Sequence, residues 1–98
     1  MTEKLERLVA AGIQLLPALE ISTHFVFERD GFVALVERRG EGFGAVGTAG
    51  LLTDYGVAPL MYKRDSAFFV TKGHEIPANP EQVQKLRSFQ RDLSAALS

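Results

Sequence analysis

Two histidines, His24 and His74, are the only imidazoles in the chain, and each is placed to meet a carboxylate. His74 directly precedes Glu75, and His24 is expected to lie across a strand ladder from Glu37. A carboxylate beside an imidazole raises its pKa and selects its tautomer, which a general base or a metal ligand would use. No His-x-x-x-His or His-x-His pair accompanies them, so no metal site is expected. The competing reading is plainer: a His–Glu pair on the rim of a sheet, and a histidine in a surface loop. His24 and Glu37 are kept as candidate binding residues, and no catalytic residue is assigned.

Gly42-Phe43-Gly44-Ala45-Val46-Gly47 has the G-x-G-x-x-G spacing of dinucleotide-binding turns, where glycines let a pyrophosphate approach a helix start. Its setting argues against that use. The preceding strands read as a hairpin rather than a parallel βαβ unit, and Thr48 to Thr53 is too short and glycine-bound for the required helix. Thr53-Asp54-Tyr55-Gly56 reads as a turn closed by Gly56. If a pocket exists, Asp54 and Tyr55 would stand at its mouth with Phe43 nearby, completing the candidate binding set. The hydroxyls of Ser22, Thr23, Thr48, Thr53 and Ser66 lie in no nucleophile elbow. With no cysteine, thiolate zinc sites, disulfides and thiol catalysis are absent together. No cofactor is expected.

The 98 residues suffice for one domain, 1–98, and are too few for two that each bury a core. With 46% apolar and 23% charged residues, the composition is that of an ordinary globular domain. Eleven basic and twelve acidic residues leave a net charge of −1, which favours neither nucleic acid nor an anionic membrane. The pairs Arg38-Arg39 and Lys63-Arg64 each have an acidic neighbour, Glu41 or Asp65, and read as soluble turns. The opening Met-Thr-Glu-Lys-Leu-Glu-Arg lacks the order of a signal peptide, and no apolar run approaches the ~18 residues of a membrane span. A cytoplasmic location is expected.

The elements that must hold these residues follow from periodicity. Leu5, Leu8, Val9, Gly12, Leu15, Leu16 and Leu19 recur at three- and four-residue steps and predict an amphipathic helix with a core-facing stripe. Pro17 should kink or end it, with Ala18 to Ile21 as a bent last turn. Asp30-Gly31 predicts a two-residue hairpin in which His24 faces Glu37 and Phe27 faces Ala34. Phe43 to Thr53 is expected to be a third strand that its small residues let bend, with a loop as the alternative. Val57 to Lys63 and Ser66 to Lys72 form a second hairpin around Arg64-Asp65, Leu60 opposite Phe69. Asn79-Pro80-Glu81-Gln82 announces a final helix with Asn as N-cap, Pro at the first position and Gln completing a capping box.

The expected architecture is therefore α+β: a largely antiparallel sheet of about five strands, a meander of hairpins, with a helix at each end of the chain. Its strands are apolar at odd and even positions alike, as in a sheet covered on both faces. Five strands at ~4.8 Å spacing span about 24 Å, which two helices of ~10 Å width cover on one face alone. The second face, with Val26, Val33 and Leu35 or their counterparts, is then bare unless a second copy covers it. These three residues are the expected dimer interface. Function is not legible at this level beyond two readings. One is a homodimeric interaction or regulatory module, not an enzyme, open to a protein partner. The other is a small-molecule-binding protein or small enzyme, with an apolar cavity between the Gly42 to Gly50 segment and the phenylalanines.

Overall fold

A computed structural model of the protein describes residues 2–16, 23–40 and 42–98. In chain order the elements are α1 (Thr2–Ala10), β1 (Gln14–Leu15), β2 (His24–Arg29), β3 (Phe32–Arg39), β4 (Gly42–Val46), β5 (Gly50–Thr53), β6 (Gly56–Lys63), β7 (Ser66–Thr71), β8 (His74–Pro77) and α2 (Pro80–Leu97). The class is α+β, as expected. The described residues form eight strands rather than about five, all paired antiparallel in the order β1-β2-β3-β5-β6-β7-β8, with β4 also on β3.

Local chemistry accounts for the hairpins. Asp30 and Gly31 both adopt positive φ, 55° and 87°, the conformation a two-residue turn of this hand requires. The resulting register pairs His24 with Glu37, Phe27 with Ala34 and Arg29 with Phe32. The second hairpin sets Leu60 against Phe69 and Met61 against Phe68. Lys72 and Gly73 repeat the positive-φ turn, at 46° and 82°, and add β8 to the sheet edge.

The segment expected as one bent third strand is β4 and β5, both paired to β3. Its register slips between Val36 and Arg38, and again before Gly50 pairs with Val33. Gly47 N donates to the Leu35 carbonyl at 2.8 Å and bridges the break. Gly50 permits the bend: a Cβ there would lie 2.7 Å from the Ala58 carbonyl oxygen and 2.8 Å from a Val57 methyl.

Helix α1 is shorter than the apolar period implied. It stops at Ala10 because Gly12, at φ 74°, closes a Schellman motif: Ile13 N donates to Leu8 O at 2.9 Å and Gly12 N to Val9 O at 3.0 Å. Leu8 and Ile13, 2% and 4% exposed, supply its apolar contact, whereas Leu5, Val9 and Leu15 are exposed. The stripe is thus only partly core, and Leu15 belongs to an edge strand. The bent turn expected at Pro17 to Ile21 lies outside the described residues.

Helix α2 begins as its sequence announces. Asn79 Oδ1 accepts from Gln82 N at 2.8 Å, and Gln82 Oε1 accepts from Asn79 N at 2.9 Å. The helix crosses the sheet from β8, past Tyr62 on β6, to Arg29 on β2. One cluster joins Leu8 and Ile13 to Phe27, Phe32, Phe69, Leu86, Phe89 and Leu93, so both helices share one face.

The outer face is not bare where it was expected to be. Val26 and Val33 lie on it by register but are only 3% and 1% exposed within the single chain, and Leu35 is half-buried. They occupy β2 and β3, flanked by β1 on one side and by the bent 42–53 stretch on the other. That stretch is drawn in tightly, since a Cβ on Gly47 would lie 3.0 Å from the Leu35 carbonyl oxygen. The exposed apolar side chains of this face are the counterparts farther along the sheet, on β5 and β6.

Candidate functional site

The five binding residues suggested by the sequence fall into separate places. His24 and Glu37 are paired in register, yet their side chains take other partners. Thr23 Oγ1 lies 2.8 Å from His24 Nδ1, and Glu37 Oε1 accepts from Arg39 Nη2 at 2.8 Å and Nε at 3.2 Å. Gly44 makes room for this ion pair: a Cβ there would lie 3.0 Å from Glu37 Oε1. A carboxylate held by an adjacent guanidinium does not orient the imidazole, so no His–Glu dyad forms.

Phe43 is a packing residue. Its ring meets Phe25 at 5.1 Å, edge-on, and Phe27 at 5.8 Å, while the Arg38 guanidinium lies 4.2 Å from the Phe25 centroid. The three rings pack against one another beside the Gly42 to Gly50 segment.

Asp54 and Tyr55 sit at the tip of the β5–β6 hairpin, at the opposite end of the sheet from His24 and Glu37. Thr53 Oγ1 donates to the Gly56 carbonyl at 2.6 Å and accepts from Tyr55 N at 3.1 Å, which is turn chemistry. Tyr55 stacks on His74 from the β7–β8 turn, with ring centroids 3.8 Å apart and planes 12° from parallel. This contact joins two hairpin tips. Glu75, the neighbour of His74, pairs with Lys63.

The strongest polar constellation is one that the sequence reading passed over. Arg29 Nη1 donates to the Ala11 carbonyl and to Asp92 Oδ2, both at 2.9 Å, and its guanidinium lies 5.7 Å from the Phe89 centroid. The hydrogen bond from Arg29 holds the Asp92 carboxyl below the usual 3.8, assisted by the charges of Arg29 and Arg91 against the opposing effect of burial. The arrangement ties α1, β2 and α2 together. Its groups are mutually satisfied, as are the buried side-chain polar atoms among the described residues.

What the structure leaves unsatisfied is apolar. Alternation along β6 puts Ala58, Leu60 and Tyr62 toward the helices and Val57, Pro59 and Met61 on the outer face. Leu52 pairs with Val57, and Met61 with Phe68, which in turn pairs with Pro77. Leu52, Val57 and Met61 are 39%, 38% and 48% exposed, and Pro59 and Pro77 are exposed beside them. The Lys63–Glu75 ion pair neutralises itself on this same face. Among the described residues there is no group of three His, Asp or Glu side chains that could hold a metal, and no helix long and apolar enough to cross a membrane. A second surface, an open groove of about 1,100 Å³, lies between α2 and the β6–β7 hairpin.

Comparison with protein-family models, curated proteins and solved structures finds no match to this chain.

Proposed function

We propose that the protein is a small, non-catalytic interaction module that pairs with a second copy of itself through the outer face of β5 to β8, in the cytoplasm. One observation carries this reading: Leu52, Val57 and Met61 form a neighbouring apolar set on a sheet face that the helices leave uncovered. Four strands at ~4.8 Å and about six residues of ~3.3 Å give a face on the order of 400 Å². The apolar set occupies part of that face, beside Lys63, Ser66 and Glu75, and exposed apolar patches on monomers are often functional. The face is about half of the ~800 Å² per partner found in stable complexes, so the pairing is weak and concentration-dependent.

A second copy suits the face better than a charged partner does. Its one flanking ion pair is already closed between Lys63 and Glu75, so two-fold apposition brings no unpaired charge into the contact. Sedimentation velocity over a roughly hundredfold concentration range tests the proposal by mass action. A rise in weight-average mass toward twice the chain mass supports it, and a constant monomer mass refutes it.

A further inference from the structure

The groove between α2 and the β6–β7 hairpin has a wall made by one helix face. Arg87, Ser88 and Arg91 follow each other at one- to four-residue steps and line it together. Tyr62 and Ala67 form its floor, and Ala78 and Val83 make an apolar end. At about 1,100 Å³ and open along its length, it exceeds the ~300–1,000 Å³ of enclosed small-molecule sites and suits a segment of chain.

Its charges are unevenly matched. Lys85 is bridged to Glu81 at 3.2 Å, and Asp65 stands at the hairpin tip. Arg87 Nη2 donates at 2.6 Å to the Tyr62 hydroxyl, a neutral partner. Arg91 Nη2 donates to Ser88 Oγ at 3.3 Å, and its nearest carboxylate oxygen, on Asp92, is 3.7 Å from Nε while Asp92 is engaged at 2.9 Å by Arg29. Two exposed guanidiniums therefore face the groove with fork geometry, against one lining carboxylate, Asp65, outside the Lys85–Glu81 pair, which leaves an excess of one positive charge.

Residues four apart on a helix stand ~5–6 Å apart at Cβ. Alternate residues of an extended chain stand ~6.7 Å apart on one side. We infer that the groove binds an extended acidic segment of a partner protein with the pattern acidic-x-acidic-x-apolar. Its two carboxylates meet Arg87 and Arg91, and its apolar residue lies against Ala78 and Val83. The Tyr62 hydroxyl holds Arg87 over the floor until a carboxylate takes it.

The test uses a fluorescein-labelled peptide carrying Glu-Ser-Glu-Ser-Leu, its counterpart with Lys for Glu, and the 98-residue chain at low salt. Anisotropy should show saturable binding of the Glu peptide alone. Arg87→Gln and Arg91→Gln should each weaken it about fivefold, and together about twenty-five-fold, because the two side chains contact separate carboxylates. Both positions are exposed, so the melting temperature controls for folding. Amide shifts on titration should fall on Tyr62, Ala67, Ala78, Val83 and the 84–91 stretch of α2. Equal binding of the Lys peptide, undiminished binding by the folded double variant, or no saturable binding would overturn the inference. So would equally strong competition by free glutamate, which would reduce the site to a simple carboxylate contact. Met61→Glu lies on the opposite face of β6 and should leave this binding intact, which separates its failure from that of the proposed self-association.

Discussion

At Arg29 one guanidinium bonds the Ala11 carbonyl just after α1 and the side chain of Asp92, so its ion pair holds the two helices to β2. Because the Asp92 carboxyl is depressed below its ordinary value, the unfolded chain takes up that proton more readily than the folded one. Its contribution to stability is thus complete above the ordinary aspartate value and is lost as pH falls through the lowered one. Asp92→Asn should lower the melting temperature at neutral pH, with the deficit shrinking in acid; a deficit that persists in acid would assign it to packing instead. Gly50 and Gly44 offer a second contrast. Ala at Gly50 meets backbone at 2.7 Å and should cost about 1–3 kcal/mol in a denaturant titration, while Ala at Gly44 meets Glu37 side-chain atoms at 3.0 Å and beyond, a looser contact, and should cost less. The partners of individual side chains were the least legible feature of the sequence. The register opposing His24 to Glu37 follows from Asp30-Gly31, but Thr23 and Arg39, one and two residues away, capture these groups first. The Tyr55–His74 stack, between tips of two separate hairpins, has no local signal at all.

Among the elements, legibility followed the range of the signal. The start of α2 is encoded within four residues, Asn79 to Gln82, and Asn79→Ala should cost about 1 kcal/mol of stability, read from a shifted denaturation midpoint. The two main hairpins likewise carry their registers in their turns. The end of α1 was hidden because Gly12 falls on the helical apolar period while also forming, with Ile13, the Gly-then-apolar ending of a Schellman motif. Backbone conformation decided between them, and it sent Leu15 into a strand. Strands β1 and β8, two and four residues long, are too short for a period-two pattern to register. They exist because β2 and β7 offer unpaired edges. The Phe43 to Thr53 stretch, expected as one bent strand, is instead two strands, β4 and β5, separated by residues 47–49, and its bulge and close approaches require small residues.

For the whole molecule, the apolar residues at both parities foretold a sheet with two demanding faces, and the two helices do cover only one. Which part of the other face remains open depends on how the sheet bends and what flanks β2 and β3, so the burial of Val26 and Val33 was not readable from strand composition. The open part lies on β5 to β8, the face through which self-association is proposed. Met61 is 48% exposed on that face and pairs with Phe68 at its middle, so a charge there leaves the monomer's core untouched. The most direct measurement is sedimentation equilibrium of the wild-type protein beside Met61→Glu, with a thermal melt of each. Self-association through this face requires a monomer–dimer equilibrium for the wild type and a monomer of unchanged melting temperature, in the dilute limit, for the variant. A wild-type monomer at all concentrations, or a variant that dimerises as strongly as the wild type, would contradict it.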